Sequence, residues 1–135
     1  MTSARATRRK TKIILSALGC EAGELSLLLT DDDEIRDLNR AWLGRDRPTD
    51  VLAWSQREGP PAPAPLLGDV VISIPAAARQ AKEYHLSLDQ ELNRLLCHGI
   101  LHLFGHDHVK GGEPARKMKS LTERLLAELA RSGEV

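Results

Sequence analysis

The stretch from Cys97 to His108, CHGILHLFGHDH, restricts what this chain can fold into more than any other segment. It holds four of the five histidines. His98 and His102 stand four apart, which on a helix puts both imidazoles on one face, one turn apart, as two ligands of one ion require. His106 continues that spacing, but an unbroken helix would carry it roughly 12 Å from His98. Gly105 relieves the problem. Glycine accepts a positive φ, so the helix can stop there and the chain can turn back. His108, three residues further on, then becomes the third candidate ligand. The pattern is His-x-x-x-His-x-x-Gly-x-x-His. The expected fold therefore contains a helix ending in a reversal, with a metal site on that helix-turn.

The same ligand spacing is found in the metzincin proteases, which place a glutamate directly after the first histidine as general base. Here that residue is Gly99, so the spacing gives a metal site without a peptidase's proton carrier. His106 reads as a neighbour of the ligands. Asp107 reads as the acceptor for the second N–H of a ligand imidazole, which metal-bound histidines usually require. Cys97 adjoins His98, but one step along a helix turns it about 100° away, so it reads as a buried core thiol.

The rest of the chain supplies elements to hold this helix. The segment RRKTKIILSALGC reads as a helix, with Ile13, Ile14, Ala17 and Leu18 at helical spacing and Gly19 as the stop. ELSLLLT, Glu24 to Thr30, alternates as a strand. TDDDEIRDLNRAWL is a helix with acidic residues near its positive end, a stripe of Ile35, Leu38 and Trp42, and Gly44 after it. GRDRPTD is a charged loop and VLAWS a short buried strand. QREGPPAPAPLL, with its prolines, is an irregular loop. GDVVISI is a strand that Pro75 ends, and AAARQAKEYH is a helix, leaving His85 at the surface. Ser87 and Gln90 form a capping box for the histidine helix, Leu88 to about Phe104. EPARKMKSLTERLLAELARSG closes the chain as an amphipathic helix between Pro114 and Gly133. Trp42 and Trp54 read as core residues. Asp50 and Asp69 read either as strand-end acceptors for backbone N–H groups or as residues lining a site or partner surface.

Helices and strands interleave without strict β-α-β alternation. The expected class is α+β: one domain over 1–135 with a basic N-terminal tail over about 1–9, about five helices, and a small mixed sheet of four strands, three being the alternative. Formal net charge is zero, so overall charge selects no partner, but Arg40, Arg45 and Arg47 form a local basic group. The two cysteines, Cys20 and Cys97, are too few for a disulfide scaffold and read as reduced thiols in a cytoplasm. The apolar run IILSAL is too short for a membrane span.

HGILHLFGHDH resembles the signature of the YbeY family of rRNA maturation factors, His-Gly-x-Leu-His-Leu-x-Gly-Tyr-Asp-His, with His106 where the family usually has tyrosine. ELSLLLTDDDEIRDLNR, GRDRPTDVLAW, LLGDVVISI and LDQELNRLLCHG look like further family segments in the family's order, over about residues 10 to 130. The resemblance implies a metal-dependent single-strand endoribonuclease. It would act in 3′-end maturation of small-subunit 16S rRNA and in ribosome quality control, in contact with ribosomal small-subunit proteins or an assembly GTPase. It implies one zinc per chain, on His98, His102 and His108. Two departures stand out. Family members usually begin with an extra strand, whereas this chain starts almost at the first helix. The family also has an arginine, tied to nuclease activity, where this chain has Leu43. Arg45 and Arg47, which could meet phosphate charge bidentately, are the candidate catalytic residues together with Asp107.

Three neutral imidazoles leave a metal ion its full charge and an open position. A water there can have a pKa near 7, or the ion can polarise phosphate while the RNA's own 2′-OH attacks; the sequence does not choose. A rival reading is a ribosome-assembly adaptor whose zinc stabilises the fold. A zinc peptidase is the third reading, and Gly99 argues against it.

Overall fold

The computed structural model describes residues 4–55, 66–106 and 111–133. In chain order the elements are α1 (Ala4–Ala17), β1 (Glu24–Thr30), α2 (Asp32–Leu43), β2 (Val51–Ser55), β3 (Leu66–Ser73), α3 (Ile74–Glu83), α4 (Leu88–Leu103) and α5 (Gly112–Arg131). The class is α+β, with five helices and a mixed sheet. Among the described residues that sheet has three strands in the order β1-β3-β2, not four. β1 runs parallel to β3 and β2 antiparallel to it. Among the described residues the strand paired on both sides is therefore the most buried one, β3, which ends in VVIS.

Strand alternation divides the apolar residues between two faces. Leu25, Leu27 and Leu29 of β1, Val70 and Ile72 of β3, and Val51 and Ala53 of β2 join residues of α1, α4 and α5 in the main core. Leu52 and Val71 face the other way, where Ile35 and Leu38 of α2 cover them and Trp54 packs alongside. The sheet is thus clad on both faces around β3, while Leu28 on the outer face of β1 stays 42% exposed.

Local signals fix the element ends. Asp31 caps α2 by accepting from Glu34 N at 2.9 Å, and Gly44 ends it in the left-handed region at φ 69°. Ser73, fully buried, caps α3 and donates to Asp32 Oδ1 at 2.8 Å, while Arg79 meets the same carboxylate at 2.9 Å. The first turns of α2 and α3 are thereby tied together. Pro75 falls in the first turn of α3, where its missing N–H is no loss, so it starts a helix as much as it ends a strand. At the N-terminus, Arg5, Arg8 and Arg9 belong to α1 and not to a tail, because the helix already begins at Ala4. The proline-rich loop over 56–65 lies outside the described residues.

α4 is the hub. From Glu91 to Leu103 every residue is buried except Arg94, His98 and His102, which recur at intervals of four. The Ser87–Gln90 capping box is present in both directions, at 2.8 and 3.1 Å. Among the described residues no helix is long and apolar enough to cross a membrane.

Candidate metal centre

Gly99 sets the orientation of α4. A Cβ at this position would lie 2.7 Å from Val70 Cγ1 and 3.3 Å from Val51 Cγ2. The helix is pressed onto the sheet here, and any side chain at 99 would have to displace Val70. A glutamate after the first histidine would meet this close contact, a second argument against the peptidase reading.

With position 99 facing the sheet, helical geometry fixes the flanks. Leu96 turns one way, toward Leu29, Ile72 and the α1 residues Thr7 and Lys10, with which it lines a small cavity. His98 and His102 turn the other way, toward β2, the edge strand. Arg94 shares that flank, and the carboxylate of Asp50, immediately before β2, acts on its charge. The two imidazoles therefore lie one turn apart on the single stripe of α4 that reaches solvent. His98 is half-buried and His102 exposed.

The turn expected at Gly105 is present. Gly105 has φ 89°. Its N–H donates to the carbonyl of His102 at 3.0 Å, and the His106 N–H donates to that of Leu101 at 3.1 Å. This pair of bonds is a Schellman ending, which satisfies the last carbonyls while reversing the chain. His106 leads out of the turn, half-buried. Asp107 and His108 lie outside the described residues. Among the described residues no group of three potential ligands gathers. The two described donors fit a borderline ion such as zinc: both are imidazoles, they share a face, and the reversal follows directly behind them.

Arg94, which inspection of the sequence passes over, adds a cation to the histidine stripe. Its Nε and Nη2 donate to Glu91 Oε1 and Oε2 at 2.6 and 2.8 Å. Glu91 is fully buried and Arg94 partly exposed. The bond to Glu91 raises the Arg94 pKa above its ordinary value against the opposing effect of burial. Two of five N–H groups are used in this fork, leaving the outer edge of the guanidinium for an anion. The legible signal was the interval of four before His98. Cys97 is a core thiol as expected, fully buried, and burial pushes its pKa up to about 12.

Arg45 and Arg47 lie in the loop from α2, on one face of the sheet, to the edge strand β2. The loop is held by its backbone and by its acids. Asn39 Nδ2 donates to the Arg47 carbonyl at 2.9 Å, and Arg36 pairs with Asp46 at 2.9 Å. Asp50 accepts from Val51 N at 2.8 Å and Gln80 Nε2 at 3.1 Å. Both arginine side chains are exposed and form no ion pair among the described residues. Asp50 thus serves as a strand-end acceptor. Asp69 pairs in register with Ser26 and Trp54 on the α2 face of β3, the opposite face from α4.

Trp42 departs from expectation. It is 61% exposed, not core, with its ring stacked on Trp54 at 5.4 Å and 14°. It ends the stripe of Ile35 and Leu38 and covers Trp54 of the edge strand β2 with one face of its ring. Leu43 beside it is 45% exposed.

Fold and site together define a small α+β protein with paired imidazoles on a core helix. The sequence profile described as Endoribonuclease YbeY matches residues 2–130. The chain is 46% identical to the Aquifex aeolicus Endoribonuclease YbeY over 121 residues, 90% of this chain and 80% of that one. It is 46% identical to the Sulfurihydrogenibium protein of the same description, over 88% of this chain and 78% of the relative. A solution structure of a Thermotoga maritima protein is similar at a TM-score of 0.62 and 26% identity, covering 95% of this chain and 84% of that one. The chain belongs to the YbeY endoribonuclease family.

Proposed function

We propose that this protein is a zinc-dependent endoribonuclease of single-stranded RNA. Its role would be rRNA processing, at the 3′ end of small-subunit 16S rRNA, and ribosome quality control in the cytoplasm, next to small-subunit proteins or an assembly GTPase. The carrying observation is the solvent-facing stripe of α4: two imidazoles one turn apart, ending in a glycine reversal, on a chain of the YbeY family. His98 and His102 would hold one zinc, with His108 completing the set and Asp107 accepting from an imidazole N–H. Zinc bound there would supply a concentrated positive charge, able either to acidify a nearby water or to polarise the scissile phosphate while the RNA's 2′-OH attacks.

The chain's own residues do the remainder. Gly99 seats α4 so that both imidazoles keep a common bearing toward the edge of β2. Arg94, paired with Glu91, holds a cation one turn before His98, and Arg45 and Arg47 present exposed cations from the loop before β2. Such donors stabilise charge developing on phosphate in the transition state.

Zinc-loaded protein should cut labelled single-stranded RNA and leave casein intact, and His102→Ala should lose both zinc and cleavage. Full zinc occupancy in His102→Ala would overturn the ligand assignment. A second reading is supported by the exposed Leu43, where the resembled family carries arginine. In that reading the fold and metal persist for an assembly adaptor. Wild type would then be inactive, and Leu43→Arg would gain activity.

A further inference from the structure

We propose that the outer face of Trp42 is a stacking platform for an unpaired base of the RNA strand. The inference rests on the nuclease reading above and names a binding residue that reading does not require. Trp42 contributes little to the core: Ile35, Leu38, Leu52 and Val71 already close the space between α2 and the sheet. A large aromatic ring is instead kept 61% exposed. Its orientation is not free, because the near face is stacked on Trp54, nearly parallel at 14°. Trp54 is anchored in β2, in register with Asp69 of the central strand. The platform is thus a rigid two-ring stack with one π-face open, and a base can extend it without ordering anything further.

Charge identifies the occupant. The segment around Trp42 carries Arg40, Arg45 and Arg47 within eight positions. Arg40 is paired with Asp37 at 3.3 Å, while Arg45 and Arg47 form no ion pair among the described residues. An exposed aromatic face followed within five positions by two exposed arginines that form no ion pair among the described residues suits a chain that alternates flat rings and phosphates. Base–aromatic stacking of this kind tolerates any base and requires it to be unpaired. Position is compatible: Trp54 stands on edge strand β2 on the α2 face, and α4 packs against β2 from the other face, so a strand reaching both crosses around that edge.

The test uses zinc-loaded protein and a labelled 2′-O-methyl oligonucleotide, which binds but offers no 2′-OH. Trp42→Ala should weaken binding by between about fivefold and a hundredfold. Trp42→Tyr should stay near wild type, and blunt RNA duplex should compete poorly. Quenching of intrinsic tryptophan fluorescence on binding should disappear in Trp42→Ala. The exposure of Trp42 keeps the variant folded, and its melting curve checks this. If Trp42→Ala binds this oligonucleotide like wild type and cleaves unmodified single-stranded RNA like wild type, the platform is wrong and the nuclease reading stands. If wild type binds no single strand, both fall. If Trp42→Ala keeps RNA affinity but releases a ribosomal protein that wild type retains, the patch is a protein contact and the RNA assignment is overturned.

Discussion

Replacing Gly99 by alanine puts two known effects in opposition. Alanine is about 1 kcal/mol better than glycine inside a helix, so on propensity alone the variant gains stability. The structure places the new Cβ 2.7 Å from Val70 Cγ1, whereas carbon atoms rest at about 3.5–4.0 Å. About an ångström must be found. Val70 cannot supply it, since it is fully buried, β-branched and seated in the central strand. Overpacking of this kind costs about 1–3 kcal/mol, and rigid surroundings favour the upper half of that range. The expected net effect is a loss of about 1–2 kcal/mol, read as a lower urea midpoint at unchanged slope. Val70→Ala removes the obstructing methyls. In the double variant the added methyl fills part of the vacated space, so the two losses should not add, and a coupling of about 1 kcal/mol or more is expected. Gly99→Ala more stable than wild type, with additive behaviour in the double variant, would refute the seat.

Four further outcomes are expected. Arg94→Gln should be markedly destabilising, by about 3–5 kcal/mol, because it strands the fully buried Glu91; Glu91→Gln with Arg94→Gln should recover much of that loss in the same urea titration. Asp32 has its pKa held below 3.8 chiefly by the Arg79 hydrogen bond, then by that of Ser73; its contribution is complete above that ordinary value and fades as pH falls through the lowered one, so Asp32→Asn should flatten the acid limb of the stability curve and leave its alkaline side parallel to wild type. In the folded protein only one thiol, Cys20, should react promptly with a disulfide reagent at pH 8, because burial pushes the Cys97 thiol up to about 12; prompt reaction of two would contradict the packing of α4. Leu43→Arg should be neutral in thermal melts, since Leu43 is 45% exposed, and should raise RNA cleavage if phosphate passes that position.

Much of this could be read from the residues because local signals agreed with the global fold. The strands Glu24–Thr30 and Val51–Ser55 fall where alternation and apolar content put them, and Gly44, Ser87 and Gly105 act as the stops and caps their chemistry allows. Periodicity failed at Trp42. It reports which residues share a face of α2 but not how much of that face is covered: at the sheet edge Trp42 has only Trp54 against one side of its ring and stays 61% exposed. Gly99 was read as a missing glutamate. That it is a contact surface depends on Val70, distant in sequence, and no local pattern carries that. The Arg94–Glu91 pair was hidden for a similar reason, as three-residue spacings of opposite charge are common on exposed helices and only burial distinguishes this one.

The burial of α4 also governs how its histidines would hold an ion. The amides of His98 and His102 belong to the most enclosed helix of the molecule, packed against β2, β3, α3 and α5. Such a helix has no route to local opening that leaves the rest intact, so its amides should exchange with solvent deuterium only through the slowest, global event. Binding an ion at this stripe then adds directly to the free energy of that event, by RT ln(1 + [L]/Kd). Raising free zinc tenfold above saturation should slow deuterium uptake about tenfold along the whole of α4, and equally in β3. A site built on detachable loops would show protection only next to its ligands.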